Sequence, residues 1–343
     1  MKYTKFLLTT IGGLFLAIYF LLPKDFFVFQ SKVDEDNVEV TPSDIVNLTI
    51  KQYSPLPPSV IDEVETFIFF LGHARSGHSI VGSILDAHPH VVIAHEAKLF
   101  SRMIENLPHY YNKSVIFNEL WNNSYHSSVA GLRTEADKAL KKGYTLSIDG
   151  LYQGTYVSSV QVIGDKDGGK TAAMFLRNPQ NWDQVFSKIK STVDIPIKVI
   201  HVIRNPYDNI ATMLIYKTSG LRITEVKHSD KVYKLDSSAV REKTDKYFML
   251  FQAIQEAKGK YNLDLLEVHG KDLIGNPKDS ILKMCNFLGV SCSESYLETC
   301  ANKLFPSESK TRYKIKWDDH LISYVQQYIM KYDSLKRYYN FDS

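Results

Sequence analysis

Residues 66–79 read Thr66-Phe67-Ile68-Phe69-Phe70-Leu71-Gly72-His73-Ala74-Arg75-Ser76-Gly77-His78-Ser79. Thr66 to Leu71 is a short apolar run of the kind that forms a buried strand. It stops at Gly72, and after Ser79 the residues Ile80, Val81, Ile84 and Leu85 share one face of a helix. A glycine-bearing loop between a strand and a helix start aims several backbone N–H groups at one point. Arg75 adds a fixed positive charge there, and Ser76 and Ser79 add hydroxyl donors. Such a loop suits a phosphate or a phosphosulfate. The plainer reading is a βα turn with a chance arginine, but strand, glycines and helix all fall into register.

Further strand-like runs follow at Val91 to Ala94, Val160 to Ile163, Ile197 to Ile203 and Leu263 to Val268. Helical patterns at 78–88, 206–216, 237–258, 270–287 and 319–337 alternate with them. That alternation predicts an α/β fold with a P-loop-like parallel sheet covered by helices on both faces. In the last pattern Leu321, Val325, Tyr328, Tyr332 and Leu335 share a face and read as packing residues. A second anion site is expected where the run Val202-Ile203 ends at Arg204. Asn205 can cap a helix that Pro206 begins, and Thr212 falls two turns along it. Ligands of open α/β sheets bind beyond the strand ends, so one nucleoside with two anionic ends would occupy both sites.

A chain of 343 residues can hold one large α/β domain plus a tail, or two small domains. Its 41 Lys and Arg against 38 Asp and Glu, net +3, exclude a polyanion binder that relies on bulk charge, so no nucleic-acid partner is expected. Lys2 and Lys5 precede the apolar run Phe6–Leu22, which ends at Pro23 and Lys24. About 17 residues is the short end for a spanning helix. A cleaved signal peptide is the alternative, but Tyr19-Phe20-Leu21-Leu22 is a poor cleavage site. The lysines ahead of the run favour a cytosolic N-terminus. The expected order is a cytosolic tail (1–5), a signal-anchor (6–22), a stem (23–62) and a lumenal domain (63–343). The stem carries Asp34-Glu35-Asp36 and Pro55-Leu56-Pro57-Pro58. Sequons at Asn47, Asn112 and Asn122 agree with a lumenal body. Cys285, in an apolar helical stretch, reads as a buried thiol, while Cys292 and Cys300 flank a polar segment and could pair in an oxidising lumen. The cysteines form no metal pattern, and no carboxylate cluster has ligand spacing.

Arg75-Ser76-Gly77-His78-Ser79 and Arg204 through Thr212 resemble the two nucleotide-binding elements of the PAPS-dependent sulfotransferases (PAPS, 3′-phosphoadenosine 5′-phosphosulfate). Golgi type II enzymes, and tyrosylprotein sulfotransferases among the comparisons, are the similar members. Leu85-Asp86-Ala87-His88-Pro89, Lys271 through Pro277 and Phe287-Leu288-Gly289 are also family-like, so the resemblance covers about 66–340. Two residues depart from the pattern: His78 replaces a hydroxyl residue and Thr212 a serine. The resemblance implies that Arg75, Ser76, Gly77, His78 and Ser79 hold the 5′-phosphosulfate. Arg204, Thr212, Lys310 and Arg312 would then hold the 3′-phosphate. It also implies in-line displacement with Glu96 as base, His95 being the alternative because an imidazole suits base work. Adjacent strand residues point to opposite faces, so one of the two is expected in the cleft. Lys166 would steady charge on the bridging oxygen beside Arg75, and Gly168 stands where cytosolic relatives carry a catalytic histidine. The reaction requires no metal. Implied partners are PAPS, an acceptor glycan or protein hydroxyl, and the Golgi membrane; carbohydrate is the broader acceptor class.

Gly164-Asp165-Lys166-Asp167-Gly168-Gly169-Lys170-Thr171 also satisfies the pattern of a nucleotide triphosphatase or kinase loop. Against it, Pro179 leaves about two turns for the following helix, and no later strand ends in a Mg²⁺-binding aspartate. In this sulfotransferase reading Lys170 is an ordinary surface lysine. A catalytically dead binding protein of the same fold is a third possibility. The segment 219–238 mixes charges and could line the acceptor cleft.

Overall fold

The computed structural model describes residues 54–129, 146–219 and 231–343. The expected tail, the anchor at 6–22, most of the stem, the Asn47 sequon and most of 219–238 lie outside the described residues. Five strands are described: β1 (Thr66–Gly72), β2 (Val91–His95), β3 (Val162–Lys166), β4 (Ile197–Ile203) and β5 (Asp264–His269). They form one parallel sheet in the order β2-β3-β1-β4-β5. The helices in chain order are α1 (Pro58–Asp62), α2 (His78–Asp86), α3 (Leu99–Glu105), α4 (Lys113–Val129), α5 (Gly168–Arg177) and α6 (Pro179–Val193). They continue as α7 (Pro206–Ser219), α8 (Ser237–Lys260), α9 (Gly270–Gly275), α10 (Pro277–Leu288), α11 (Glu294–Lys303) and α12 (Asp319–Ile329).

β1 is the middle strand and is buried along its whole length, so it reads as a continuous apolar run. Its side chains alternate between two cores. Phe67, Phe69 and Leu71 join Val92, Ala94, Ile163 and Trp182, while Ile68 and Phe70 join Val81, Ile84, Leu85, Ile200 and Ile281. Both faces are therefore covered, as expected. A third cluster joins α7, α8, α12 and the 3₁₀ turn Asp333–Tyr338 after it through Ile210, Leu214, Phe251, Leu321, Val325 and Leu335. There Tyr328 stacks on Phe248 at 4.6 Å, and Tyr332 meets Phe251 edge-on at 4.8 Å, so these tyrosines do pack.

From β1 the chain moves to β2, and from β4 it moves the opposite way to β5. β1 and β4 are neighbours, so a crevice opens beyond their C-terminal ends, the usual ligand position in such sheets.

Several elements depart from expectation. The pattern at 270–287 is two helices, because Pro277 pushes Asn276 out of the helical region to φ −136°, ψ 72°. β3 starts later than expected and runs on through Gly164-Asp165-Lys166, all buried. Gly164 pairs with Ile68 and Ile93, and a Cβ there would stand 2.1 Å from the Ile68 carbonyl oxygen. The cysteine pairing is corrected too: Cys285 bonds to Cys292, and Cys300 is a buried free thiol. Gly289, at φ 83°, ends α10 and turns the chain back, so that Val290 N–H reaches the Cys285 carbonyl at 3.1 Å. Cys300 meanwhile faces the core from α11. Among the described residues no helix is long and apolar enough to cross a membrane.

Candidate active site

Two cationic elements and a lysine–glutamate pair meet at the crevice. At the end of β1, Arg75 is in the left-handed region (φ 68°), and its guanidinium lies 3.7 Å from the ring centre of Tyr216 on α7. Ser76 Oγ is 3.3 Å from Nδ1 of His78. His78 is buried, which lowers its pKa, with Lys166 lowering it further, to about 3 despite the opposing pull of Glu96. The imidazole is therefore neutral at the position where the family has a hydroxyl.

The end of β4 is built differently. Asn205 Oδ1 accepts the Tyr207 N–H at 3.0 Å and caps the start of α7. Arg204 Nη1 donates to Thr212 Oγ1 at 2.9 Å and to the Arg75 carbonyl at 3.3 Å. Its Nη2 donates to the Ser309 carbonyl at 2.7 Å and to Thr311 Oγ1 at 3.0 Å. Asn209 Nδ2 donates to the Ala74 carbonyl at 2.8 Å. Residues of the second element thus hold the backbone of the first.

The C-terminal loop expectations divide. Arg312 is fully buried: Nη1 pairs with Asp208 Oδ2 at 3.1 Å, and Nη2 donates to the Ser343 carbonyl at 2.8 Å. It is part of the wall behind the cleft. Lys310 is exposed and Thr212 is buried behind Arg204; neither lines the cleft. Sequence reading missed Ser309, Thr311, Asn209 and Tyr216. Asn209 was within reach, one helical turn after Asn205 in a run already singled out.

On the side of the first element away from β4 stands Lys166, the last residue of β3, fully buried and set behind the residues that line the cleft. Its stem lies over Gly82 of α2, where a Cβ would come within 2.7 Å of Lys166 Cγ. Its Nζ is 3.1 Å from Ser79 Oγ and 3.1 Å from Glu96 Oε1. Burial raises the Glu96 pKa, but the Lys166 charge and hydrogen bond, with His95 and Lys170 behind them, pull it down to about 2. Glu96 lines the cleft and His95 does not; the His95 N–H goes to Asn123 Oδ1 at 2.6 Å.

Lys170 departs from the sequence reading. It lines the cleft from α5, its Nζ 3.6 Å from Glu96 Oε2 and 3.8 Å from Asp167 Oδ1. The triphosphatase loop fails for a different reason. Gly164, Asp165 and Lys166 are strand, and α5 begins at Gly168, so only Asp167 separates strand from helix. No loop remains to wrap a phosphate. The following helix does stop before Pro179, at Arg177.

The cleft that joins these groups has a volume of about 910 Å³ and is lined by Arg75, Ser79, Glu96, Lys170 and Arg204 among others. Among the described residues no group of three or more His, Cys, Asp or Glu could hold a metal ion.

The sheet thus places cationic residues beyond the ends of two neighbouring strands around one cleft. The model of the sulfotransferase family matches residues 68–294, and the chain belongs to that family, whose members transfer a sulfuryl group from PAPS. No curated sequence matches the chain. Among solved structures, the sulfotransferase domain of the Synechococcus olefin synthase is 15% identical, with 82% of this chain and 99% of that one covered, at a TM-score of 0.43. Sulfotransferase STF9 from Mycobacterium avium is 14% identical over 80% of this chain and 79% of its own, at 0.41. Mouse sulfotransferase SULT7A1, complexed with PAP, is 13% identical over 71% and 67%, at 0.34.

Proposed function

We propose that this enzyme transfers the sulfuryl group of PAPS to a carbohydrate hydroxyl in the Golgi lumen, by in-line displacement with Glu96 as general base. The observation that carries this reading is the Glu96 carboxylate, 3.1 Å from Lys166 in a cleft flanked by both anion-binding elements. Arg75 through Ser79 hold the 5′-phosphosulfate. Arg204, braced by Thr212 and Thr311, holds the 3′-phosphate, with Lys310 exposed on the same loop.

The donor's bridging oxygen competes with Glu96 for the Lys166 ammonium. As that ammonium turns to the phosphosulfate, Glu96 loses the partner that keeps it weakly basic, and burial raises its proton affinity. Glu96 then takes the proton of the acceptor hydroxyl while the acceptor oxygen bonds to sulfur. The bond from sulfur to the bridging oxygen breaks, and PAP leaves with its new negative charge beside Lys166 and Arg75.

The compartment rests on the apolar run Phe6–Leu22 after Lys2 and Lys5, on the sequons, and on the Cys285–Cys292 disulfide, a bond of oxidising compartments. Transfer from radiolabelled PAPS to a panel of glycans and tyrosine peptides tests the acceptor. Label on a glycan is expected; label confined to tyrosine peptides contradicts the carbohydrate assignment.

A further inference from the structure

Glu96 sits in a turn that its residue types do not favour. Glu96 and Lys98 both have φ 58°, in the left-handed region that residues with a Cβ avoid. The hydrogen bonds that secure this turn come from the end of β3. The Lys166 carbonyl accepts the Glu96 N–H at 3.2 Å. Asp165, on the opposite face of the strand from Lys166, accepts the Ala97 N–H on Oδ1 at 3.0 Å and the Leu99 N–H on Oδ2 at 3.1 Å. Asp165 is 2% exposed and both of its carboxylate oxygens are taken by N–H groups of the turn, which sets its work on the backbone of that turn.

We propose that Asp165 is a positioning residue for sulfuryl transfer: its carboxylate, by taking the N–H groups of Ala97 and Leu99, fixes the turn that sets Glu96 against Lys166. The inference rests on Glu96 as the base. Two consecutive residues of one strand thereby act on the same glutamate from opposite sides, Lys166 on its carboxylate and Asp165 on its backbone.

Two N–H donors call for an ionised acceptor, because a protonated carboxyl accepts more weakly and its own O–H needs a partner. Burial raises the Asp165 pKa, the two N–H bonds and Lys166 oppose it, Asp167 adds to it, and the result is about 7. Charged and titratable side chains gathered around the turn are Lys166 and Asp167 at the end of β3, His95, Glu96 and Lys98 at the turn itself, Lys170 from α5 and His78 from α2. The ionised, competent form of Asp165 dominates above about pH 7, and turnover falls as pH drops through that value. Glu96 is held at about 2 by Lys166 in the free enzyme and gains proton affinity when Lys166 turns to the donor, so only the part of the acid limb that Asp165→Asn removes belongs to Asp165.

The test compares wild type, Asp165→Asn and Glu96→Gln with radiolabelled PAPS and an accepted hydroxyl, alongside PAP binding by calorimetry. Asp165→Asn keeps the side-chain volume but only one acceptor oxygen, so kcat is expected to fall about 10- to 100-fold, the scale of a small misplacement of a reacting group. PAP affinity and the KM for PAPS should stay unchanged, and the acid limb of the kcat profile should move to lower pH. An acid limb that Asp165→Asn leaves unchanged overturns the proposal. So does an Asp165→Asn enzyme with wild-type kcat, or one whose PAP affinity falls as far as its rate. Glu96→Gln separates this from the parent reading: if it is inactive while Asp165→Asn is not, only the role of Asp165 fails. If Glu96→Gln turns over normally, the base assignment fails first.

Discussion

The two anion-binding elements stand at the ends of neighbouring strands, yet they are held in opposite ways. Arg204 at the end of β4 is clamped by four hydrogen bonds that it donates to Thr212, Thr311 and the carbonyls of Ser309 and Arg75. Arg75 at the end of β1 stacks on Tyr216, with its backbone secured from the β4 side. In the proposed reading this fixed guanidinium, with four of its five N–H groups given to protein acceptors, offers its charge and its remaining Nε–H to the end of the donor that stays put. In the same reading the looser element faces the end where bonds change, together with Lys166 and Glu96. The difference then predicts that affinity and chemistry are divided between the two strand ends, and substitutions on each side should separate them.

The largest effect is expected at the reacting end. Lys166→Ala removes a preorganised charge from the leaving oxygen and should lower kcat on the order of 10²–10³-fold, measured with saturating PAPS. Lys170, half-exposed and 3.6 Å from Glu96, should cost only a few-fold when changed to Ala, because solvent screens it. Equal losses at the two lysines would break the comparison. At the other end, Arg204→Ala should weaken PAP binding by roughly 30- to 100-fold, the loss of a charge-assisted bond or more, with a smaller effect on kcat. Calorimetry with PAP checks this. If Arg204→Ala depressed kcat as strongly as affinity, the division would not hold.

Stacking and buried histidines bring smaller changes. Tyr216→Ala should cost about 2- to 5-fold in kcat/KM for PAPS, in line with a cation–π contact of about 0.5–1 kcal/mol, and Tyr216→Phe should restore it. Below these lies a change in stability alone. His201 is fully buried in β4 with no hydrogen bond to either ring nitrogen among the described residues, and burial, then His73 and His269, lower its pKa to about 3. The unfolded chain takes up a proton near 6.5 while the folded one does not, so this stability is full above 6.5 and is lost as pH falls towards about 3. At pH 5 the loss is about 2 kcal/mol. His201→Leu should flatten the acid limb of a Tm-versus-pH curve; an unchanged slope would contradict it.

What the sequence disclosed was the part built from apolar runs. β4 spans Ile197–Ile203 as read, and β1 leads into its loop as expected, because buried parallel strands write themselves as continuous hydrophobic stretches. β3 was legible only at its start. Its last residues, Asp165 and Lys166, are charged yet buried, and their compensation comes from Glu96, Ser79 and the N–H groups of a turn near residue 97. Nothing local records those partners. α4 escaped notice for a related reason: it buries Ser124 and Ser127, so its inner face is partly polar. Of the expected site, Arg75, Glu96 and Arg204 line one cleft, with Lys166 buried behind Ser79 and Glu96. The clamp on Arg204 did not show, because Ser309 and Thr311 arrive from about a hundred residues away. Arg312 is a cation whose partner, Asp208, lies in another element, and the sequence gives no sign that the pair turns away from the cleft.

The division between binding and chemistry turns on Glu96, and one measurement reaches it directly: turnover and PAP affinity of Glu96→Gln, determined on the same preparation. Loss of the carboxylate removes the base but leaves Arg75, Ser79 and Arg204 in place. kcat should fall by at least about 100-fold while the Kd for PAP stays within about two-fold of wild type. A Glu96→Gln enzyme that transfers sulfate at the wild-type rate would contradict the assignment.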